Sequence, residues 1–337
     1  KPINVTVDVL NGTGKVNVTV AGDTKTADLV NGSAKFTFDA ITTPGTYDVD
    51  VVYSGDDKYK VFKTTESIEV IAPSIIIAED MKRGWNSPYD YFATLVDPKG
   101  NPIAGKEVTF TIDDTTYKAT TNTSGIATIT AKLDVGTHNV TVTNPDTGIN
   151  STATATIVER IQGYANITKD YLGPESYIVQ IFGDDGNPVG EGEVVQVRFA
   201  GKTYNMTTNA SGYVIRTINF VPGFYAVYSS YAGYQTPQTT ILVNQILKVA
   251  SGTIKKTDSS YTLMATLKNS DGKPIAYKEV IFSFNGKTYN VTTDSKGVAS
   301  VNIGSKTINK LQAGKTYTLQ AKYVNDIAKG KFKVVKK

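Results

Sequence analysis

Apolar and polar residues alternate with a period of two over much of this chain. In residues 15–20, 34–38 and 47–51 every second position is apolar, and the rhythm returns at 139–142 and 317–323. Successive side chains of an extended strand point to opposite faces, so each run predicts a strand with one face toward a core. Gly-Asn-Pro and Ser-Gly turns interrupt the runs at roughly ten-residue spacing, the punctuation of an all-β sandwich. No window carries an apolar stripe of 3.6-residue period, so helix is expected to be minor.

The alternation is itself repeated. Asp97-Pro98-Lys99-Gly100-Asn101-Pro102 returns as Asp184-Asp185-Gly186-Asn187-Pro188 and again as Ser270-Asp271-Gly272-Lys273-Pro274, with the glycines 86 residues apart each time. Strand-like runs follow at 108–112, 194–199 and 280–284, then Thr116-Tyr117, Thr203-Tyr204 and Thr288-Tyr289. Second turns come at Ser124-Gly125, Ser211-Gly212 and Lys296-Gly297, and strand-opening glycines at Gly136, Gly223 and Gly314. The last copy carries extra residues around 305–311. The first 73 residues follow a related pattern, with Gly45-Thr46-Tyr47-Asp48-Val49 leading into Tyr53-Ser54-Gly55-Asp56-Asp57-Lys58-Tyr59. A period of this length marks an array of separately packed units. The expected fold is a tandem array of four immunoglobulin-like β-sandwich domains at 1–73, 74–160, 161–246 (Tyr-rich) and 247–337 (Lys-rich, basic). Joins at 71–74, 158–162 and 242–247 are too short for flexible tethers, which favours an extended rod. With roughly 30–40 Å per sandwich, four in line reach on the order of 150 Å.

The pattern Gly-(Asn/Lys)-Pro-(Ile/Val)-x-x-x-x-Val, then Thr-Thr-x-x-(Ser/Lys)-Gly, then a strand-opening Gly, resembles the bacterial Ig-like repeats of invasin- and intimin-type adhesins. It covers residues 74–337 in three copies, the last departing at Lys273 and Lys296. The first unit, with Val30-Asn31-Gly32-Ser33-Ala34 and the 53–59 segment, resembles Ig-like repeats of adhesin-like surface proteins of methanogenic archaea. The resemblance implies surface display and attachment or spacing, and offers no catalytic residue to carry over. These are turn and strand signatures, which specify fold well and ligand poorly.

Composition narrows the function. The 337 residues are 40% hydrophobic, with no cysteine and one histidine, His138. Thiol chemistry, disulfides and multi-histidine metal sites are thereby excluded. No apolar stretch is long enough to span a membrane. The start at Lys1, without Met or an apolar signal core, reads as a fragment of something larger. Eleven Asn-x-Ser/Thr triplets, at Asn4, Asn11, Asn17, Asn31, Asn122, Asn139, Asn150, Asn166, Asn205, Asn209 and Asn290, are candidate glycosylation acceptors. Thr-rich strands also generate such triplets by chance. The expected compartment is extracellular, at a bacterial or archaeal cell surface.

Candidate chemistry is sparse. His138 stands where other units place Tyr47, Tyr225 and Tyr317, which reads as a packing position. The pairs Tyr47/Tyr53, Tyr225/Tyr231 and Tyr317/Tyr323 recur, and a hydroxyl bonded back to the main chain is one role such tyrosines take. Tyr228, Tyr234, Tyr171 and Tyr164 have no such counterparts and are candidates for a binding patch, against edge packing or interdomain contact. Trp85, beside Lys82 and Arg83, fits either a ligand anchor or a joint, and the joint is favoured. Asp56-Asp57 and Asp184-Asp185 invite a calcium reading as well as ordinary turn chemistry; no regular spacing of oxygen ligands selects the metal, and no cofactor is expected. Lys106 and Lys278 occupy matching places where an isopeptide crosslink could form, but Gly192 breaks the series.

Charge is uneven. The balance is −3, −3 and −2 over the first three units, and +12 over 247–337, from 17 lysines against five acids. That suits an anionic wall polymer, lipid or acidic polysaccharide. Nucleic acid is not expected, because no arginines are set on a groove-sized element. The leading expectation is a non-enzymatic adhesin or stalk whose partner is another cell's surface or a glycan. A carbohydrate-binding array and a wall or filament subunit are the rivals.

Overall fold

The computed structural model describes residues 1–337. The chain forms two compact units, one of residues 1–81, 89–131 and 137–155, the other of 82–88, 132–136 and 156–337.

In the first unit, the alternating runs fold into a sandwich of six strands: β1 (Ile3–Asp8), β2 (Lys15–Val20), β3 (Asp23–Asp28), β4 (Ser33–Phe38), β5 (Gly45–Tyr53) and β6 (Phe62–Val70). β1 pairs with β4 in one sheet; the other runs β3-β2-β5-β6. Val16 and Val18, both 0% exposed, pack with Phe36, Phe38, Val49 and Tyr53 in a core of their own. The next sandwich uses β7 (Ile75–Ala78), β8 (Met81–Gly84), β9 (Tyr91–Val96), β10 (Glu107–Ile112), β11 (Thr115–Thr120), β12 (Ile126–Ile129), β13 (Gly136–Thr143) and β14 (Asn150–Val158). Its sheets run β12-β9-β7 and β11-β10-β13-β14-β8.

In the second unit, the third sandwich comprises β15 (Ile161–Gln162), β16 (Ile167–Asp170), β17 (Ser176–Ile181), β18 (Val194–Phe199), β19 (Lys202–Thr207), β20 (Tyr213–Thr217), β21 (Gly223–Tyr231), β22 (Tyr234–Gln235) and β23 (Thr239–Asn244). The fourth comprises β24 (Leu247–Val249), β25 (Gly252–Lys255), β26 (Ser260–Leu267), β27 (Glu279–Phe284), β28 (Lys287–Thr292), β29 (Val298–Gly304), β30 (Thr316–Tyr323) and β31 (Asp326–Val335). A single helical turn, α1 (Ser305–Ile308), occupies the extra residues of the last copy and buries Ile308.

The incoming chain of the third and fourth sandwiches serves both sheets. β15 pairs antiparallel with β17, and the chain then crosses so that β16 lies parallel to β23. β24 and β25 do the same against β26 and β31. One strand passage thus covers one edge of each of the two sheets. A single apolar core runs from Ile161 to Val334 through both sandwiches, with Leu247, Phe282 and Ile241 at 0% exposure.

All four copies share one turn. Val9, Leu95, Ile181 and Leu267 donate their N–H to the carbonyls of Gly32, Gly125, Gly212 and Gly297. These glycines have φ between 73° and 78°, and a Cβ on any of them would press on backbone oxygen. Glycine alone fits such a turn without strain.

The short joins 158–162 and 242–247 carry strand residues: Ile161 pairs with Ile181, and Leu242 with Thr168. The sheets of the first 73 residues hold two and four strands, without a counterpart of the crossing strand.

Candidate recognition surfaces

The recurrent tyrosines are structural. Tyr47 and Tyr225 donate their hydroxyls to the carbonyls of Thr43 (2.9 Å) and Val221 (2.8 Å), four residues back. Tyr317 accepts from the Gln312 amide at 2.9 Å. His138 takes the same place in the second sandwich and bonds through Nδ1 to Asp113 at 2.7 Å. That bond holds the Asp113 carboxyl below the usual carboxylate range. The Asp113 carboxylate also accepts the Asn139 N–H, so the pair latches β13 to the turn between β10 and β11.

The four unmatched tyrosines separate into different settings. Tyr171 is 5% exposed, and its hydroxyl accepts from the Asn325 amide of the fourth sandwich at 3.1 Å. There it serves as a packing and hydrogen-bonding contact of the seam and lines the cavity beside Lys169 and Tyr323. Tyr164 is half-buried, and its hydroxyl meets the Glu159 carboxylate at 3.0 Å. Tyr234 is half-buried too, with its ring edge-on to Trp85 at 5.6 Å. Burial and its bond to Tyr164 push the Tyr234 phenol well above its ordinary value, so it stays protonated. Trp85 belongs to the segment Lys82–Pro88. Its amide donates to Val158 O (2.9 Å) and its carbonyl accepts from Arg160 Nε (2.7 Å). Arg160 is 3% exposed and also grips Asp184. Gly186 of the Asp-Gly turn packs directly on the Arg83 backbone, where a Cβ would collide. Trp85, Tyr164 and Tyr234 therefore pack together within the second unit.

Tyr228 alone faces outward on a sheet face. Arg198, its partner across β18 and β21, donates Nη1 to the Tyr228 hydroxyl at 2.7 Å and lies 5.7 Å from its ring. Gln196, Thr203, Ser230 and Gln235 complete a shallow hollow of about 220 Å³. An aromatic ring ringed by amide, guanidinium and hydroxyl groups suits hydroxyl-rich ligands. The sequence signal for Arg198 was parity: in Val195-Gln196-Val197-Arg198-Phe199 the odd positions are core, so Gln196 and Arg198 share the outer face.

The fourth sandwich presents charge. Strand β31 alternates Ala328, Phe332 and Val334 inward with Lys329, Lys331 and Lys333 outward. All the structure's ion pairs lie outside residues 247–337, so these ammonium groups are not neutralised by carboxylates.

The acidic turns are self-satisfied. Asp56 accepts amide hydrogens from Thr13, Lys58 and Tyr59 at 2.7 Å each, and these bonds, the Thr13 one foremost, hold its carboxyl far below the usual range. Asp185 accepts from Asn187 in the same manner. No cluster of three or more His, Asp or Glu side chains is placed to hold a metal. Lys106 pairs with Asp146 at 2.7 Å with both side chains at least 36% exposed, an open ion pair. The eleven sequon asparagines are all exposed. Asn122 and Asn209 also brace the shared turn, accepting from Ser124 and Ile126, and from Ser211 and Tyr213.

Sequence reasoning missed Lys169. It is 2% exposed and donates Nζ to the carbonyls of Gly173 (2.6 Å) and Ile218 (2.8 Å). It stands opposite Val243, as Ile254 stands opposite Val334 in the fourth sandwich. Its parity with Ile167 was the available signal.

These features define a tandem array of immunoglobulin-like β-sandwiches with outward-facing contact surfaces. No family model matches the chain. It is similar to a Ca²⁺-stabilized adhesin that helps an Antarctic bacterium reach out and bind ice, at 16% identity over 99% of this chain and 94% of that one (TM-score 0.33). It is also similar to the I9–I11 tandem of titin, at 10% identity over 78% of this chain and all of that one (TM-score 0.34). A third likeness is to SGBP-B of the Bacteroides ovatus mixed-linkage glucan utilization locus, solved with a heptasaccharide, at 12% identity over 78% and 70% (TM-score 0.21).

Proposed function

We propose that this chain is a section of an adhesin-like stalk, displayed at a bacterial or archaeal cell surface, that attaches to glycans or anionic surfaces without catalysis. In this reading the domains divide at 73/74, 160/161 and 246/247, and exposed sequons carry glycans. The observation that supports it is the continuous core through the third and fourth sandwiches. Two sandwiches that share a core and a strand passage transmit load as one body, while their outer faces stay available for contact. The contacts assigned are the Tyr228–Arg198 hollow for sugar hydroxyls and the Lys329, Lys331 and Lys333 row for polyanions. Trp85, Tyr164 and Tyr234 contribute by fixing the joint.

A glycan-array and whole-cell binding screen tests the first contact: Tyr228→Ala is expected to abolish glycan binding, and unchanged binding would remove the assignment. Retention on an anionic polymer tests the second. It should fall steeply with salt, as Debye screening shortens from about 10 Å at 0.1 M to 3 Å at 1 M; salt-insensitive retention would count against it. Self-association without either ligand would favour a wall or filament subunit.

A further inference from the structure

The first sandwich differs from the third and fourth at three places, and the three coincide. Its shared turn fixes the alignment: Val9 holds the position of Ile181 and Leu267, so Val5 and Val7 match Leu263 and Ala265, and Ile3 matches Tyr261. In the fourth sandwich Leu263 and Leu267 are 0% exposed, and β24 pairs with that edge at Ala265–Leu267. In the first sandwich, Ile3, Val5, Val7 and Val9 are only half-buried, and β1 has no neighbour on its free side.

The second place is β6. Ile68 lies opposite Tyr47 as Ile241 lies opposite Tyr225 and Phe332 opposite Tyr317. Ile241 and Phe332 are 0% and 3% exposed beneath parallel strands β16 and β25. Ile68 and Val70 are half-buried on an unpaired edge.

The third is the pole where β1 ends and β6 begins. There Leu10, Val30, Val61 and Phe62 are 80%, 70%, 68% and 62% exposed. The loops that bear them are tied together: Val9 N–H bonds Gly32 O, Thr13 N–H bonds Asp56, and the Tyr59 hydroxyl bonds Leu10 O. Phe62 pairs with Tyr53 as Tyr234 pairs with Tyr231 and Asp326 with Tyr323. In both filled sandwiches that position meets the incoming chain. Asp326 accepts the N–H groups of Ile246 and Leu247, and Tyr234 meets Trp85 and Tyr164.

We infer that the first sandwich is a receptor for one further sandwich of this same repeat class, whose outgoing segment closes the β1 and β6 edges while its body covers the apolar pole. The chemistry of the occupant follows from the filled copies. It carries an apolar residue where Leu247 and Ile161 stand, pairing antiparallel beside β1. After a crossing it carries an inward-facing residue at the position held by Ile254 and Lys169, running parallel to β6. The exposed Leu10, Val30, Val61 and Phe62 at one pole call for an apolar partner, because unpaired edges and exposed large apolar side chains are both costly to leave in water.

The alignment sets the test. Since Tyr261 matches Ile3, residue 258 falls at the position directly before Lys1. Residues 245–258 of the chain itself, fused before Lys1 of the full chain, place a crossing strand in register. Amide exchange in β1 and β6 should then slow by about tenfold or more, and the first sandwich should melt at higher temperature. The same graft carrying Leu247→Asp and Ile254→Asp should restore the exchange of the unfused chain. Equal exchange with and without the graft, or no difference between the two grafts, would overturn the proposal. Concentration-dependent dimerisation of the unfused chain that protects β6 would overturn it as well, by assigning those edges to a second copy.

Discussion

The first and fourth sandwiches are built on the same turn and the same alternation, yet their edge strands are buried to different depths. In the fourth, Leu263, Leu267 and Val334 are sealed at 0% exposure; their counterparts Val5, Val9 and Val70 in the first are half-buried. Parity is the same in the two, and the first has the stronger strand formers, Val5, Val7 and Val9 against Leu263, Ala265 and Leu267, so neither explains the gap. What differs is the crossing strand, which pairs with one sheet, changes sides and pairs with the other. Closure of these sandwiches is a property of the segment between them.

The comparison would break most visibly under core truncation. Phe282 is 0% exposed in the core shared with the third sandwich. Phe282→Ala should cost about 3–5 kcal/mol, as deletion of a buried aromatic leaves a cavity that a close-packed interior cannot refill. Val5→Ala removes two methyl-sized groups from a half-wet site and should cost only about 1 kcal/mol. Calorimetric unfolding with residue-resolved hydrogen exchange reads both. Equal losses would mean that the β1 edge is as well packed as β26 and that the difference drawn here is not energetic.

How far this was visible in the sequence depends on the kind of signal. Alternation gave the strands directly, as in 15–20 and 317–323, because side-chain parity is a local property. The 86-residue spacing gave the repeats, and the Gly125, Gly212 and Gly297 turns gave the register, with Gly32 joining them once its bond to Val9 was seen. The crossing strands were read as short joins. Each pairing lasts only two to four residues, as in Ile161–Gln162 and Leu247–Val249, too short for a period to emerge. The tyrosines were legible where they recurred and not where they stood alone: Tyr171 and Tyr228 look alike in sequence, and only tertiary contact sends one into a seam and the other to a surface. Lys169 was obscured because a lysine on an inward parity invites the assumption that the strand has ended.

A smaller effect sharpens the role of the seam. Asp326 is fully buried, with its carboxylate accepting the N–H groups of Ile246 and Leu247 at 2.9 and 2.8 Å and the Gln245 amide at 2.9 Å. Asp326→Ala leaves two buried N–H groups without an acceptor and should cost about 2–3 kcal/mol. Its distinguishing readout is cooperativity. The third and fourth sandwiches, which share a core, should unfold in one transition in the parent chain and in two in the variant. A single transition in both would show that the apolar core alone couples them.

The smallest expected effects are in pH, and here the first and third sandwiches should respond at opposite ends of the scale. The Asp56 carboxyl is held far below its ordinary value, foremost by the Thr13 amide and also by those of Lys58 and Tyr59. The unfolded chain therefore binds a proton there first as pH falls, so the stability this group contributes is complete above about pH 4 and declines below it. Lys169 shifts the other way: desolvation by burial lowers its amine, with Glu175 opposing. Between that lowered value and the ordinary lysine value near 10.4, the unfolded state holds the extra proton, so stability rises with pH across that window. Melting followed by hydrogen exchange from pH 2 to 5 should loosen the 54–62 loop first, and Asp56→Asn should flatten that response. Melting from pH 8 to 10.5 should stabilise the third sandwich, and Lys169→Met should remove the slope. A third sandwich that weakens over the alkaline range would mean that the carbonyls of Gly173, Glu175 and Ile218 hold the ammonium form more tightly than burial disfavours it.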